Sequence, residues 1–468
     1  MHNLIGQFEK VRTPFYYYDT ELLRSTLRTI NDEAGKHEGF KVHYAVKANA
    51  NPKLLTIIRE AGLGADCVSG GEIEAACKAG FPTDGIVYAG VGKSDWEINL
   101  GLDKDIFCFN VESLAELDVI NQLAAAKNKV ARVAFRINPN VGAHTHANIT
   151  TGLAENKFGI AMEDMVDVIE KAAGMNNVKF VGLHFHIGSQ ILDMGDFKAL
   201  CNRINELQDQ LEIHHIIPEH INVGAHTHAN ITTGLAENKF GIAMEDMVPV
   251  IEKAAEMKNV KFVGLHFHIG SQILDMGDFK ALCNRINELQ DKLEIRHIIP
   301  ENINVGGGLG VDYEHPDRVP VPDFKSYFDT YARHLKLRPG QTLHFELGRA
   351  VVCQCGSLIT RTLYVKQGSV KKFAIVDAGM TDLIRPALYQ AYHKIENLSS
   401  DAPVEEYDVV GPICESSDVF GKQVPLNATN RGDLIAMRSA GAYGEIMASQ
   451  YNCRPLPVGY TTEDLRAL

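Results

Sequence analysis

The sequence predicts an α/β protein in which a (β/α)8 barrel of the TIM type is followed by a mainly β domain. Three observations lead to this fold class. Short β-rich runs alternate with helical stretches up to about residue 350. Charged, polar and glycine residues follow directly after these runs, and beyond residue 350 strands and turns succeed one another without long helices.

Eight β-rich runs supply the barrel strands, and helical periodicity fills the gaps between them, as at 52–62 and 70–80. The runs are 42–49, 65–70, 85–90, 105–111, 131–140, 179–188 or 261–270, 220–224 or 302–308, and 343–350. Because the active sites of such barrels lie at the carboxyl ends of the strands, we expect the site there.

The domain boundaries follow from where this alternation begins and stops. We assign residues 26–349 to the barrel and 350–468 to the C-terminal β domain. The run Thr13–Asp19 has the composition of a strand that could join either domain, and we assign residues 1–25 to the β domain.

One segment of the barrel is duplicated in tandem. Residues 141–222 and 223–304 form two copies of 82 residues, and removing one copy leaves a chain of 386 residues. The copies differ at six positions, which are Asp167/Pro249, Gly174/Glu256, Asn176/Lys258, Gln210/Lys292, His214/Arg296 and His220/Asn302. A solenoid needs at least three similar units, so two copies indicate a single duplication within one domain.

The extra copy brings two additional strands and two additional helices, which an eight-stranded barrel cannot admit without changing its diameter. We therefore expect 82 residues to loop out, either by a cut near Asn176 and Lys258 or by extrusion of the first copy. Both choices place His268 and Ser271 in the site and leave His186 and Ser189 outside it.

Composition excludes several functional classes. The 468 residues are 45% apolar and 22% charged, and 46 Lys and Arg against 59 Asp and Glu give a formal charge of −13. An acidic chain without a basic block is a poor partner for nucleic acid or an anionic membrane, so we expect neither. The chain start lacks a signal-peptide core, no run approaches a membrane span, and nine scattered cysteines form no C-x-x-C pair, which predicts a cytoplasmic protein.

The histidine count does not indicate a metal site. Twelve of the 19 histidines lie in the two copies, where they form His-Thr-His and His-Phe-His pairs. No carboxylate or cysteine stands beside these pairs at helical ligand spacing, so we predict no metal.

Three motifs at strand ends suggest chemistry. Lys47 stands between apolar residues, where a desolvated amine can form a Schiff base, although a surface lysine is the simpler interpretation. Gly306–Gly308 could cradle a phosphate with free backbone N–H groups, or make a tight turn. Glu346 and Arg349 could hold a ring nitrogen and a phosphate, or form a structural ion pair.

Together with further motifs, these residues resemble the fold-type III pyridoxal 5'-phosphate (PLP) decarboxylases from Thr13 to about Pro455. The motifs that carry the resemblance are Tyr44–Asn49, Asp66–Glu72, Arg136–Asn140, the HIGSQ run, Gly306–Gly308, Glu346–Arg349, Asp377–Tyr389, Gly411–Asp418 and Gly441–Glu445. One departure is Leu347, where the family usually has proline, which leaves Glu346 and Arg349 in place.

The resemblance implies PLP as the cofactor, bound to Lys47, with Glu346 at its pyridine nitrogen and Cys414 as proton donor. Further residues would hold the cofactor: Asp66, Arg136, His268 or His186, Ser271 or Ser189, Gly306, Gly307, Gly308, Arg349 and Tyr443. The substrate would be bound by Arg349, Arg385, Tyr389, Glu415 and Tyr443. In the family Cys414 and Glu415 reach the partner subunit's site, which implies a homodimer with shared active sites.

The implied reaction is decarboxylation of meso-2,6-diaminopimelate to L-lysine and CO2, the last step of lysine biosynthesis. Arg385 suits the distal carboxylate of this amino acid, and Glu415 suits its ammonium. Two alternatives stay open at this point. One is another decarboxylase of the family, for carboxynorspermidine or a basic amino acid, and the other is a chain inactivated by the duplication.

Overall fold

The barrel region consists of two parallel sheets in a computed structural model that describes residues 4–67, 69–83, 87–88, 92–106, 108–138, 160–161, 164–185, 220–223, 264–267 and 269–468. The chain begins with α1 (Ile5–Phe8), β1 (Phe15–Tyr18) and α2 (Thr20–Ala34). The barrel strands are β2 (Phe40–Ala45), β3 (Gly64–Asp66), β4 (Val87–Tyr88), β5 (Cys108–Val111), β6 (Ala131–Asn138), β7 (Ile160–Ala161), β8 (Val178–Phe185), β9 (His220–Val223), β10 (Gly264–His266), β11 (Asn302–Asn304) and β12 (Thr342–Leu347).

The first sheet has the strand order β10-β11-β12-β2-β3, and the second has the order β4-β5-β6-β8-β9 with β7 beside β6. All of these pairings are parallel, so the carboxyl ends of neighbouring strands lie at one edge of each sheet. The topology confirms the predicted barrel class with its C-terminal sheet domain.

Helices cover the outside of these sheets, and several begin at side-chain caps. Asp19 accepts from the Leu22 amide at the start of α2, and Ser69 and Ser113 cap the helices Gly70–Ala79 and Leu114–Ala126 in the same way. The barrel helices are α3 (Pro52–Glu60), α4 (Gly70–Ala79), α5 (Asp95–Lys104), α6 (Leu114–Ala126), α7 (Met165–Ala173), α8 (Met276–Glu294), α9 (Phe324–His334) and α10 (Arg349–Val352).

Aromatic side chains fill the space between α8, α9 and β12. Phe279 lies edge-on to Tyr327, with ring centroids 4.9 Å apart, and Phe328 lies edge-on to Phe345 at 5.0 Å. These four side chains are fully buried, so this core fixes α8 and α9 against the strand that carries Glu346.

The two copies do not behave as expected, because both supply strands to the sheets. In the first copy β8 pairs with β6, and in the second copy β10 pairs with β11. The expectation that 82 residues loop out, with a cut near Asn176 and Lys258 or with the first copy extruded, is therefore wrong. Each strand pairs with a neighbour close to it in sequence, which closes a short loop at a smaller entropic cost than a long one.

The C-terminal domain is a mixed sheet with the order β15-β18-β13-β14-β16-β17. Its elements are β13 (Gly356–Gln367), β14 (Lys372–Val376), α11 (Arg385–Tyr389), β15 (Ile395–Asn397), β16 (Val404–Val410), β17 (Val419–Asn427), β18 (Leu434–Met437), β19 (Val458–Thr461) and α12 (Thr462–Arg466). Strand β1 pairs with β13 and β19. The domain boundaries at residues 25 and 349 stay a prediction. The pairing of β1 with β13 and β19 favours the assignment of residues 1–25 to the β domain.

Candidate functional site

The carboxyl ends of the five strands in the first sheet bring the predicted site residues to one edge. Lys47 follows β2, and Asp66 ends β3, where it is in register with Ala45. The other polar or glycine positions at this edge are Ser271 after β10, Gly306–Gly308 after β11, and Glu346 and Arg349 at the end of β12. Residues more than 200 positions apart in sequence thus share one rim.

Lys47 lies in a 3-10 turn, Val46–Ala48, directly after β2. The two flanking residues are fully buried, whereas Lys47 itself is half-buried. Among the described residues its amine has no hydrogen-bond or ion-pair partner. An amine held at a strand end by buried neighbours, with no partner in the described part of the chain, can react with a ligand carbonyl.

The turn that carries Lys47 is tied to the C-terminal domain. The side chain of Asn49, which is 1% exposed, donates to the Gly441 carbonyl and to the Tyr18 hydroxyl, both at 2.8 Å. The Tyr443 amide donates to the Ala48 carbonyl at 2.8 Å. The 441–445 loop therefore fixes the backbone on either side of Ala48.

The backbone conformation and close contacts of Gly306–Gly308 favour glycine over residues with side chains. Gly306 and Gly308 have φ angles of 64° and 102°, in the left-handed region that favours glycine. A Cβ on Gly307 would collide with the carbonyl oxygen of Glu346. The run is held on both sides, since the Glu346 amide donates to the Gly306 carbonyl at 2.8 Å and the Ile273 amide to the Gly308 carbonyl at 2.9 Å.

Glu346 is oriented by the adjacent strand. The Asn304 amide nitrogen donates to Glu346 Oε1 at 2.7 Å, and Asn304 Oδ1 accepts from the Gly306 amide at 2.8 Å. On the other side, β2 places His43 in register with Glu346. Burial lowers the pKa of His43, so that imidazole is neutral near pH 7.

Arg349 is buried, and its described hydrogen-bond partners are neutral oxygens. Its Nη1 donates to the Tyr313 hydroxyl at 2.5 Å, and its Nε and Nη2 lie 3.2 Å from Ser271 Oγ. Its relative exposure is 9%, and no ion pair with a described carboxylate balances its charge. A buried cation whose described partners are hydroxyls favours an anionic ligand.

Arg385, on α11, is a second buried guanidinium. Its relative exposure is 7%, and its Nε has no hydrogen-bond partner among the described residues. The ring of Tyr443 lies close to both cations, with its centroid 5.2 Å from Arg349 Cζ and 5.9 Å from Arg385 Cζ. The arrangement offers two neighbouring positions for anionic groups.

The other predicted residues are placed as follows. Cys414 and Glu415 are exposed, and Tyr451 donates to Glu415 Oε1 at 2.6 Å. Tyr389 ends α11 and is half-buried. Arg136 lies on β6, in register with His184 of β8. His186, Ser189 and His268 lie outside the described residues.

Two contributors to this cluster were not predicted from the sequence. Asn304 stands directly before the Val305-Gly306 step, so an amide two residues ahead of the glycine run was the available signal. Tyr313 follows the run in a loop, and no spacing rule marks its contact with Arg349.

The described helices include none with the length and apolar character that crossing a membrane needs. A search of the same residues finds no group of three or more His, Cys, Asp or Glu side chains placed to hold a metal ion.

Comparison with known proteins identifies a family. The model of the "pyridoxal-dependent decarboxylase, pyridoxal binding domain" matches residues 22–225 and 213–353, two segments that overlap at the junction of the copies. The chain is 63% identical to diaminopimelate decarboxylase of Bacteroides thetaiotaomicron over 98% of both chains. It is 34% identical to the Helicobacter pylori enzyme over 99% of this chain and 94% of that one.

Solved structures give the same result. The crystal structure of H. pylori diaminopimelate decarboxylase complexed with L-lysine has a TM-score of 0.54 at 32% identity, covering 98% of this chain and 93% of that one. The enzyme from M. jannaschii in complex with L-lysine has a TM-score of 0.58 at 30% identity, covering 97% and 89%. A lysine/ornithine decarboxylase from Vibrio vulnificus, at 17% identity and a TM-score of 0.57, shares the fold.

Proposed function

The chain belongs to the diaminopimelate decarboxylases within the PLP-dependent decarboxylases, and from this membership we propose how its own residues carry out the reaction. The protein is a PLP-dependent lyase that decarboxylates meso-2,6-diaminopimelate to L-lysine and CO2. The reaction breaks one Cα–carboxylate bond and returns one proton to the same carbon.

The residues at the strand ends fit PLP. Lys47 would bond covalently to the cofactor aldehyde, because its amine has no described partner and its neighbours are buried. Gly306–Gly308 would approach the phosphate with backbone alone, and Ser271 and Arg349 would supply a hydroxyl and a cation. Asp66 and Arg136 would support the site from β3 and β6, and His268 would stack on the pyridine ring.

Glu346 would hold a proton on the pyridine nitrogen. Its carboxylate is fixed by Asn304 at 2.7 Å, so it needs no rearrangement to accept that N–H. When bound, PLP supplies an electron sink for the electron pair left as carbon dioxide departs, and a protonated ring strengthens that sink.

The observation that carries the substrate assignment is the second cation. Arg385 is buried next to Tyr443, which also contacts Arg349, and its Nε has no partner among the described residues. A substrate with a carboxylate at its distal end would satisfy Arg385. The amines of ornithine, lysine or a polyamine precursor would place a second cation there, which disfavours those alternatives.

We propose that the proton returns from Cys414, with Lys47 as the other acid in reach of the reacting carbon. Cys414 and Glu415 are exposed in this chain. Their exposure supports a homodimer in which they complete the partner subunit's site, with Glu415 holding the distal ammonium, and Tyr389 adds to the substrate contacts from α11.

The test measures CO2 release from purified holoenzyme with meso-diaminopimelate, lysine, ornithine and carboxynorspermidine. We expect activity on diaminopimelate. Arg385→Met should raise the KM for diaminopimelate by at least about tenfold, since a charged hydrogen bond contributes about 1.5–3 kcal/mol. Arg24→Met, which removes an exposed partner of Glu463, is the matched control and should change nothing. Preferred turnover of a basic amino acid would overturn the substrate assignment.

The alternative of an inactivated chain is tested separately. The described residues of the first sheet meet at one edge in spite of the extra copy, which favours activity. Deleting 141–222 gives the 386-residue chain for comparison. If only the shortened protein shows PLP absorbance and CO2 release, the duplicated chain is inactive.

A further inference from the structure

The hydroxyl of Tyr313 connects Arg349, at the start of α10, to Cys353, the residue that directly follows this helix. It accepts from Arg349 Nη1 at 2.5 Å and lies 3.3 Å from Cys353 Sγ. The Cys353 amide donates to the Arg349 carbonyl at 2.9 Å, so the two side chains lie on one face of the turn. Tyr313 therefore contacts both side chains from outside the helix.

The Ser439 carbonyl determines which group is the donor in each of these hydrogen bonds. Cys353 Sγ lies 3.0 Å from the Ser439 carbonyl oxygen, which can only accept. Because the thiol has a single hydrogen, that hydrogen goes to Ser439, and the Tyr313 hydroxyl donates to the sulfur. The lone pairs of the Tyr313 oxygen are then directed to Arg349.

The same contacts decide which part of Arg349 stays available. A guanidinium has five N–H groups. Ser271 Oγ lies 3.2 Å from both Nε and Nη2, and Tyr313 takes one N–H of Nη1. Among the described contacts, one N–H on each terminal nitrogen is left to donate to an oxyanion.

Tyr313 is itself held in place. Its ring lies edge-on to the fully buried His393, with centroids 5.3 Å apart and planes at 88°. Burial, reinforced by Cys353, raises the pKa of Tyr313 above its ordinary range, so the hydroxyl keeps its hydrogen. The direction of the hydrogen bonds is therefore constant over the working pH range.

We propose that Tyr313, backed by Cys353 and the Ser439 carbonyl, is a positioning residue that sets the Arg349 guanidinium for an oxyanion. That oxyanion is the cofactor phosphate or a substrate carboxylate, which share this chemistry. The proposal rests on the proposed function, because it presumes that Arg349 binds one of those ligands.

The test compares Tyr313→Phe, Cys353→Ala and Cys353→Ser with the wild type. Cofactor binding is measured as the Kd of apoenzyme for PLP and for pyridoxal, which lacks the phosphate. Substrate binding is measured as the KM for diaminopimelate of the PLP-saturated enzyme. Tyr313→Phe keeps the ring but not the acceptor, so we expect about a tenfold rise in one constant. Cys353→Ala should shift the same constant, and Cys353→Ser, which keeps a donor and acceptor, should restore it.

Each outcome has a distinct meaning. A raised Kd for PLP with an unchanged Kd for pyridoxal identifies phosphate as the ligand, and a raised KM alone identifies the carboxylate. Both constants unchanged in Tyr313→Phe would overturn the positioning role. If that variant does not fold, the Cys353→Ala and Cys353→Ser pair decides, and equal constants in the pair would overturn the role. Arg349→Lys separates the two proposals, because an unchanged Kd and KM there would refute the function assigned to Arg349 itself.

Discussion

The backbone amide of Tyr443 donates a 2.8 Å hydrogen bond to the carbonyl of Ala48, the residue after Lys47. The 441–445 loop belongs to the C-terminal part of the chain, and the turn at Val46–Ala48 belongs to the barrel. The position of the reactive lysine thus depends on a contact between residues 395 positions apart. We expect changes at this contact to affect both stability and PLP binding.

Asn49→Ala tests this dependence. The side chain is buried and donates to Gly441 and Tyr18, so alanine leaves a buried carbonyl without its donor. We expect the free energy of unfolding to fall by about 2 kcal/mol and the Kd for PLP to rise. Chemical denaturation and absorbance titration measure the two effects. Asn31→Ala is the control, since that side chain donates to Ala61 at an exposed position, and equal losses in both variants would contradict the prediction.

Gly307→Ala tests the close approach of the glycine run to β12. The added Cβ would meet the carbonyl oxygen of Glu346, and backbone atoms on a buried strand cannot move aside without cost. We expect at least about a tenfold rise in the Kd for PLP, equivalent to about 1.4 kcal/mol. Gly92→Ala, where a Cβ meets nothing within 4 Å, should bind PLP as the wild type does. Unchanged binding in Gly307→Ala would show that the run tolerates a side chain.

The sequence predicts those site residues whose position depends only on where a barrel strand ends. Lys47 and Gly306–Gly308 follow β2 and β11, and Glu346 lies near the end of β12 between these two strands. Parallel pairing alone brings such positions to one edge. The contact between Asn304 and Glu346 depends on the register of two strands, which no local pattern states. The strand pairing of the two copies also could not be predicted from the sequence, because identical strands carry no information about which neighbour each one pairs with.

His393→Asn tests how burial affects stability in acid. Burial, reinforced by the Arg385 and Arg349 charges, lowers the pKa of His393 from about 6.5 to about 3. Between these two pH values His393 is protonated in the unfolded chain but not in the folded chain. The free energy of unfolding therefore falls as pH falls, by about 1.4 kcal/mol per pH unit. His393 Nδ1 donates to the Arg438 carbonyl at 3.0 Å, a bond that an asparagine amide can replace.

The measurement is the free energy of unfolding from pH 7 to pH 5 for the wild type and for His393→Asn. The other ionisable groups are the same in both proteins, so the difference between the two slopes isolates position 393. We expect the variant to have the shallower slope, smaller by nearly one proton. Parallel curves would mean that His393 is protonated in the folded protein.

Which copy of the repeat serves the site is the last prediction, and the chain supplies its own control. Ser271 in the second copy lies 3.2 Å from Arg349 Nε. The segment around it is tied to the loop after β11, since Gln272 Nε2 donates to the Val311 carbonyl at 2.6 Å and the Gly310 amide donates to Ile273. Ser189 stands at the equivalent position of the first copy within the same HIGSQ run.

We therefore expect Ser271→Ala to raise the Kd for PLP by about tenfold and His268→Ala to lower kcat, whereas Ser189→Ala and His186→Ala behave as the wild type. Each variant has a twin with the same local sequence, so a general effect of the substitution cancels. The reverse pattern would place the first copy at the site. Partial losses in both members of a pair would mean that the molecules divide between two arrangements, and the ratio of active PLP sites would then measure that division.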